Sequence, residues 1–580
     1  MSTKLKVYAD EDDTLLFWSI PQPIPGCRGF AIARRKRNAQ GKKTEDFLLN
    51  RTGFENEKVA VQPEKEDQAA VVKPSTEWPF QRFSWTDHDA NTGDTVSYRV
   101  IPMVRNAAGV LEQVENQASD WSPERTLGAS SGSRFKPFFN RGFVMSQFIA
   151  RYLKEKGLTL KQFKETISDQ DDKTIRRFLS GDLRLEILRQ LQIARDEGTE
   201  IFAALFELSD DELVDALVAL GDKAHIVLAN GSITAAKGEG SANARKRDEN
   251  KEARAKLIAA GTDVVEIDRF LSPGALGHNK FLVRLGQDGK PATAWTGSTN
   301  WASTGLCTQV NNGLLIEDPD VAQVYFDQWH RLRDAKSIFP DDLIDQNSQP
   351  KPVGEDTPGT VRSVVWFTRA SGGVDLDALT AEVQKAREGI LFLMFMPGAA
   401  GLFSTVAARS AEPNLYVRGV VSELPNGRGD ESAVDVNLID GASHTPLHLD
   451  IIQPEGVQHP FANFAEEVTR KQFLSQVGHA IIHSKVVVID PFSADPVVIT
   501  GSHNFSASAS GKNDENFIIV KGDPELAEAY AVNILGAYAH YRWRAFLGKT
   551  QKPFNGLRDD DKWQAPKLAA ERRELRFWGV

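Results

Sequence analysis

Two short stretches of this chain carry the same reactive side chains in the same order. The first runs Gly277-His278-Asn279-Lys280-Phe281-Leu282-Val283 and reaches Thr296-Gly297-Ser298-Thr299-Asn300-Trp301. The second runs Ile482-His483-Ser484-Lys485-Val486-Val487-Val488 and reaches Thr500-Gly501-Ser502-His503-Asn504-Phe505. The apolar run after each lysine marks a buried strand, and on a strand residues two apart share a face. Each His-x-Lys therefore sends an imidazole and an ammonium into one pocket. The imidazole can attack or move a proton near neutral pH, and the ammonium can hold an anion. The Gly-Ser-x-Asn turn adds close backbone approach at glycine, a hydroxyl and an amide beside the same pocket.

The spacing shows that the two stretches are copies. His278 to Gly297 is 19 positions and His483 to Gly501 is 18, while Asn300 to Asn311 and Asn504 to Glu515 are both 11. Apolar strands follow at Leu314-Leu315-Ile316 and Phe517-Ile518-Ile519-Val520, and then Asp318-Pro319 and Asp523-Pro524 each open a helix. So many ordered agreements identify an internal duplication. Each copy is expected to form a hairpin of buried strands, turned through Gly286-Gln287-Asp288-Gly289 in the first and Pro491 to Pro496 in the second.

Around the copies the chain alternates helix and strand, which predicts α/β layers. Helical apolar spacing runs over Phe143 to Lys156 and Leu183 to Leu208, and Asn243 to Ala260 reads as a charged, exposed helix. His225-Ile226-Val227-Leu228 reads as a strand. After a linker-like stretch from Pro340 to Thr360, the alternation resumes with Val364-Val365-Trp366-Phe367, a helix near Leu376 to Arg387, and Ile390 to Met396. The N-terminal part differs. Phe30-Ala31-Ile32-Ala33, Phe83-Ser84-Trp85-Thr86 and Val96 to Ile101 read as strands, with a turn at Asn91-Thr92-Gly93-Asp94. Phe83 to Val104 resembles the later strands of a fibronectin type III-like sandwich, which implies an accessory module. The expected organisation is a β-sandwich-like domain over 1–126, a first α/β half over 127–350 and a second over 351–580.

Composition narrows the function. The balance of 41% hydrophobic and 26% charged residues is that of a globular chain with well-buried cores. A net charge of -10 argues against a surface coated for non-specific nucleic-acid binding, though a local basic cleft stays compatible with it. Cys27 and Cys307 cannot make a four-cysteine zinc site and are expected to be isolated buried thiols. The start of the chain lacks the apolar run of a secretory signal, and no stretch approaches the roughly 18 apolar residues of a membrane span, so a cytoplasmic location is expected. His444 and His448 stand four apart, but Pro446 between them breaks a helix, and no metal or cofactor is expected. The basic run Arg34-Arg35-Lys36-Arg37 with Lys42 and Lys43 is expected to be a solvated face. Trp301 and Phe505 are expected to pack, and His503 to have a surface or structural role rather than to touch substrate.

The two copies resemble the His-x-Lys motifs of the phospholipase D superfamily, whose full form is His-x-Lys, four residues, Asp, then Gly-Ser-x-Asn. The resemblance covers roughly residues 135 to 546. It implies two α/β halves packed pseudo-symmetrically around one phosphodiesterase site made of His278, Lys280, His483 and Lys485. Lys280 and Lys485 would hold the non-bridging oxygens, with Asn300 and Asn504 as further donors, and Ser298 and Ser502 would either bond phosphate or brace the turn. Reaction through a phosphohistidine is implied. The copies are unequal, because the second is completed by Asp490 whereas the first has Leu285 there. Tyrosyl-DNA phosphodiesterases of the same superfamily also lack this aspartate and also pair an amide with a carboxylate. By that likeness Glu515 would orient His278 as nucleophile, and Asn311 would contact His483 as general acid and then base. The rival is a decayed first half, with the second attacking or pairing across a homodimer. The expected partner is a phospholipid at a membrane surface, with nucleic acid as the alternative. A third possibility is an inactive binding module that meets a partner through its β domain.

Overall fold

The computed structural model describes residues 2–57, 71–128, 132–142, 156–168, 173–264, 269–422, 451–452, 482–550 and 556–580. The apolar runs that flank the two motifs become strands buried on both faces, as central strands covered by helices must be. They belong to two separate sheets. Across the first sheet the order is Phe135–Phe139, Asn312–Ile316, Pro291–Gly297, Lys280–Leu285, Ile201–Leu205, Ala224–Leu228 and Asp263–Val264. Across the second it is Lys351–Val353, Arg362–Phe367, Asn516–Lys521, Val497–Gly501, Lys485–Ile489, Gly389–Met394, Tyr416–Val421 and Ile451–Ile452. Apart from the extra edge strand Lys351–Val353, the two orders match strand for strand. The register matches as well, since Lys280 lies opposite Leu205 and Lys485 opposite Met394, both in antiparallel pairs. The fold is mixed α/β, as the alternation predicts.

The helices after the motifs start as the sequence indicates. Asp318 caps Pro319–Ala335 by accepting from the backbone N–H groups of Asp320 and Val321. Asp523 accepts from Leu526 at the start of Pro524–Thr550. Strand residues, joined by Tyr325 and Tyr530 of these helices, form a polar bracket between the sheets. Asn312 Nδ2 donates to Thr500 Oγ1 at 2.8 Å and to Tyr530 OH at 2.9 Å. Asn516 Oδ1 accepts from Thr296 Oγ1 at 2.6 Å and Tyr325 OH at 3.4 Å, while its Nδ2 donates to Asn279 Oδ1 at 2.8 Å. All these groups are buried. Asn516→Ala is expected to strand several of them and to lower stability by about 2–3 kcal/mol in urea unfolding.

Three expectations, two from periodicity and one from composition, need correction. The helix expected over Leu183 to Leu208 belongs to Lys173–Glu197 and stops there, because Gly198 turns to φ +67°. Ile201–Leu205 is then a strand in the middle of the sheet, and its continuous apolar run carries no period that tells strand from helix. The helix expected over Asn243 to Ala260 is two pieces, Ser241–Ala244 and Lys251–Ala259. Between them Asn250 is buried, accepting from Leu208 N and donating to the carbonyls of Phe206 and Ala229. The stretch expected as a linker contains the helix Asp341–Asn347 and the edge strand Lys351–Val353. Most of the helix expected over Phe143 to Lys156, and the pair His444 and His448, lie outside the described residues.

Among the described residues, 2–128 form strands, turns and one 3₁₀ turn at Glu115–Gln117. Lys4–Ala9, Thr14–Ser19 and Ser84–Asp87 make one sheet, and Arg125–Thr126, Thr95–Arg105, Cys27–Arg37 and Lys43–Phe47 make another. The basic run is largely neutralised. Arg34 pairs with Asp46, Asp87 and Asp89, and Arg35 pairs with Glu45 and lies over Trp121. The C-terminal segment closes on this region, with Trp563 packed against Phe30 and Phe83 and Trp578 stacked on Phe17. Cys27 and Cys307 are free and buried. Among the described residues no helix is long and apolar enough to cross a membrane.

Candidate active site

Each motif histidine lies just before its strand, held by backbone bonds to the other half. Gly277 pairs with Asp514 and Ile482 with Val310, both as parallel bridges. His278 N donates to Asp514 O at 2.9 Å, and His483 N donates to Val310 O at 2.9 Å. This register sets each histidine beside the residue that follows its bridge partner. His278 Nδ1 lies 2.7 Å from Glu515 Oε2, and His483 Nδ1 lies 2.9 Å from Asn311 Oδ1. An acceptor oxygen on Nδ1 keeps the proton there and leaves the Nε2 lone pair free.

The serines brace these acceptors. Ser502 Oγ donates to Glu515 Oε2 at 2.9 Å, and Ser298 Oγ donates to Asn311 Oδ1 at 2.7 Å. The preceding glycines allow this closeness. Gly297 and Gly501 have φ +145° and +154°, and a Cβ on either would lie 2.4 or 2.3 Å from the carbonyl oxygen of Asn312 or Asn516. Asn300 Nδ2 donates to Glu207 Oε2 at 2.7 Å, and the buried Oδ1 atoms of Asn300 and Asn504 lack a hydrogen-bond partner among the described residues.

The lysines make an electrostatic demand. Lys280 Nζ donates to His278 O at 2.8 Å and Lys485 Nζ to His483 O at 2.6 Å, with both lysines essentially inaccessible to solvent. Burial lowers Lys280 to about 7 and Lys485 well below its ordinary range. Burial, followed by the Lys485, Lys280 and His278 charges, holds His483 well below its usual value. Burial lowers His278 to about 4, with Glu515 opposing the shift. Burial alone would raise Glu515, but His278 and then His503 and Lys280 hold it below the ordinary carboxylate range. Burial thus disfavours positive charge on both imidazoles and both lysines, a demand that an arriving anion relieves.

Several contributors escaped the motif analysis. Phe206 meets the His278 ring at 4.7 Å between centroids and lies 5.0 Å from Lys280 Nζ. Phe395 stands likewise at 4.9 Å from the His483 ring and 5.0 Å from Lys485 Nζ. Glu207 follows Phe206, and burial raises its pKa against the pull of Lys280. Asn513 supports Glu515 through its Nδ2 at 3.1 Å. Extending the repeat comparison upstream would have aligned Leu205-Phe206-Glu207 with Met394-Phe395-Met396.

A family model described as "Cardiolipin synthase, PLD-like domain" matches residues 187–333 and 427–535, which takes in both motifs and both histidine partners. The two matched segments, which hold both motifs, are phospholipase D-like. A protein named phospholipase D from Rickettsia conorii is 49% identical over 59 residues, 10% of this chain and 27% of that protein. A namesake from Rickettsia felis matches to the same extent, so the chain spans about a quarter of the length of these curated relatives. Among solved structures, phosphatidylserine synthase of Haemophilus influenzae is 12% identical with a TM-score of 0.37, over 69% of this chain and 94% of that one.

The aspartate missing from the first copy belongs to the scaffold. Asp490 does not join the phosphate cluster, because it lies at the end of Lys485–Ile489 remote from His483. There its carboxylate accepts from the backbone N–H groups of Arg387, Glu388 and Gly389, the entry to the neighbouring strand. At the same place in the first half, Leu285 N donates to Glu200 O without side-chain help. His503 is fully buried, with Nε2 3.2 Å from Asp375 Oδ2 and Nδ1 accepting from Phe505 N, so its ring is held by the scaffold. Trp301 and Phe505 are buried packing residues.

Proposed function

We propose that this chain is a metal-independent phosphodiesterase that releases the headgroup of a phospholipid through a phosphohistidine intermediate. The observation that carries the proposal is the unequal cross-pairing of the histidines, with carboxylate on His278 and amide on His483. His278 Nε2 attacks phosphorus, and the bond to the leaving oxygen breaks as His483 supplies its proton. The ring of His278 gains positive charge in this step, which Glu515 is placed to neutralise. Water, or an acceptor alcohol, then gives its proton to His483, attacks phosphorus and expels His278. Lys280 and Lys485 hold the non-bridging oxygens. The arriving phosphodiester raises the affinity of His483 for a proton, which readies it as the acid.

The lipid assignment is supported by the names of the curated relatives, of which this chain spans only part. In this proposal, residues 127–350 and 351–580 are pseudo-symmetric halves sharing one site. The β-rich region 1–126 is a sandwich-like accessory module, in the manner of fibronectin type III, available for a partner. One observation favours a second reading. The amide-and-carboxylate pairing is similar to that of enzymes acting on DNA ends, which would make the chain a nuclease or DNA-end phosphodiesterase. The discriminating measurement is activity in EDTA on mixed phospholipid vesicles beside labelled single- and double-stranded DNA. Headgroup release without DNA cutting is expected. DNA cutting alone would establish the second reading, and inertness toward both would leave a binding module.

A further inference from the structure

One carboxylate of the pocket has no part in the mechanism above. Glu207 stands two residues beyond Leu205, which pairs with Lys280, and the same step beyond Met394 in the second half reaches Met396. The two walls therefore differ at equivalent places, an acid on one and a thioether, 41% exposed, on the other. Glu515 is fully buried and engaged by His278, Ser502 and Asn513. Glu207 is less committed. It keeps some contact with solvent, accepts from the neutral amide of Asn300, and has no ion-pair partner among the described residues. Lys280, whose charge it feels, donates instead to His278 O. The exposed Glu249 adds charge of the same sign nearby.

A phosphate site with a partly exposed carboxylate beside its lysines repels a second anionic group and attracts a cationic one. We propose that Glu207 receives the ammonium of a zwitterionic headgroup, so that the site selects phosphodiesters carrying an amine a short distance from phosphorus. This rests on the phosphodiesterase reading above and narrows its substrate. A polyanion such as DNA would bring its neighbouring phosphates toward Glu207 and Glu249. An ethanolamine headgroup places one charge on the lysines and the opposite charge on the carboxylate. Burial already raises the pKa of Glu207, and a bound ammonium would draw it back to the ionised form.

The test uses the full chain on vesicles of equimolar phosphatidylethanolamine and phosphatidylglycerol, with ethanolamine and glycerol release measured in the same tube. Their ratio reports relative kcat/KM and is insensitive to general loss of activity. Wild type is expected to favour ethanolamine. Glu207→Gln, which can still accept from Asn300, is expected to shift the ratio toward glycerol by about tenfold or more, and Glu207→Asp to restore most of the preference. An unchanged ratio in Glu207→Gln, or a wild type without preference, would overturn the role of Glu207 while leaving the headgroup reaction standing. Release of neither headgroup by wild type would overturn both.

Discussion

Alanine at position 278 is expected to lower turnover by more than about 10⁴-fold and to abolish the covalent phosphoenzyme, as removal of a nucleophile does elsewhere. His483→Ala is expected to behave differently. With a leaving group that departs without protonation, such as p-nitrophenolate, it should still give a burst and then stall at the phosphohistidine. With a poor leaving group its turnover should fall by about 10²–10⁴-fold, the usual contribution of general acid–base catalysis. The asymmetry follows from the partners of the two rings. An imidazole that bonds to phosphorus becomes cationic, and a hydrogen bond to a carboxylate strengthens more in that step than one to an amide. Glu515 gives His278 that support, whereas Asn311 fixes the ring of His483 without neutralising a charge. Trapping the acid-labile adduct from substrate labelled at phosphorus distinguishes the two variants. A burst in His278→Ala together with its absence in His483→Ala would reverse the roles.

The motif half of this site was legible because strands repeat every second residue. His278 with Lys280 and His483 with Lys485 needed only an apolar run beside them to be placed on shared faces. Which half supplies the partner of each histidine is another matter. That contact depends on the bridges Gly277 to Asp514 and Ile482 to Val310, and residues so far apart in sequence leave no local pattern, so only the family resemblance suggested it. Phe206 and Phe395 were hidden for a related reason. They follow apolar strands whose composition already explains an aromatic side chain, so neither stands out as part of a site. Asp490 shows the opposite failure, a motif residue whose carboxylate holds a strand entry rather than a phosphate. The helix expected through Leu208 failed at Ile201–Leu205, where burial on both faces erases the alternation that marks a strand.

Lys280→Met should reveal what burying an ammonium in this pocket costs the fold. Burial holds Lys280 at about 7 and Lys485 well below its ordinary range, whereas in the unfolded chain both return to about 10.4. Between those values the unfolded chain binds more protons than the folded one, so this contribution makes stability rise with pH from neutrality toward about 10. Each tenfold loss of proton affinity corresponds to about 1.4 kcal/mol, which puts the Lys280 share at a few kcal/mol at pH 7. The methionine variant, with no ammonium to desolvate, is therefore expected to be the more stable protein at pH 7 and to lose that advantage by about pH 10, while its catalysis fails. Urea unfolding of both proteins across this range measures the difference, and a difference independent of pH would mean that Lys280 is not held in the state described. Inorganic phosphate supplies the converse. An anion on the two ammoniums raises their proton affinity, so it should stabilise wild type most at or below neutrality, less as the lysines discharge, and the Lys280→Met variant least. The strain of burying two cations then has a direction. It disfavours the pocket without an anion and is relieved when a phosphoryl group enters, which places part of the binding energy where the chemistry needs it.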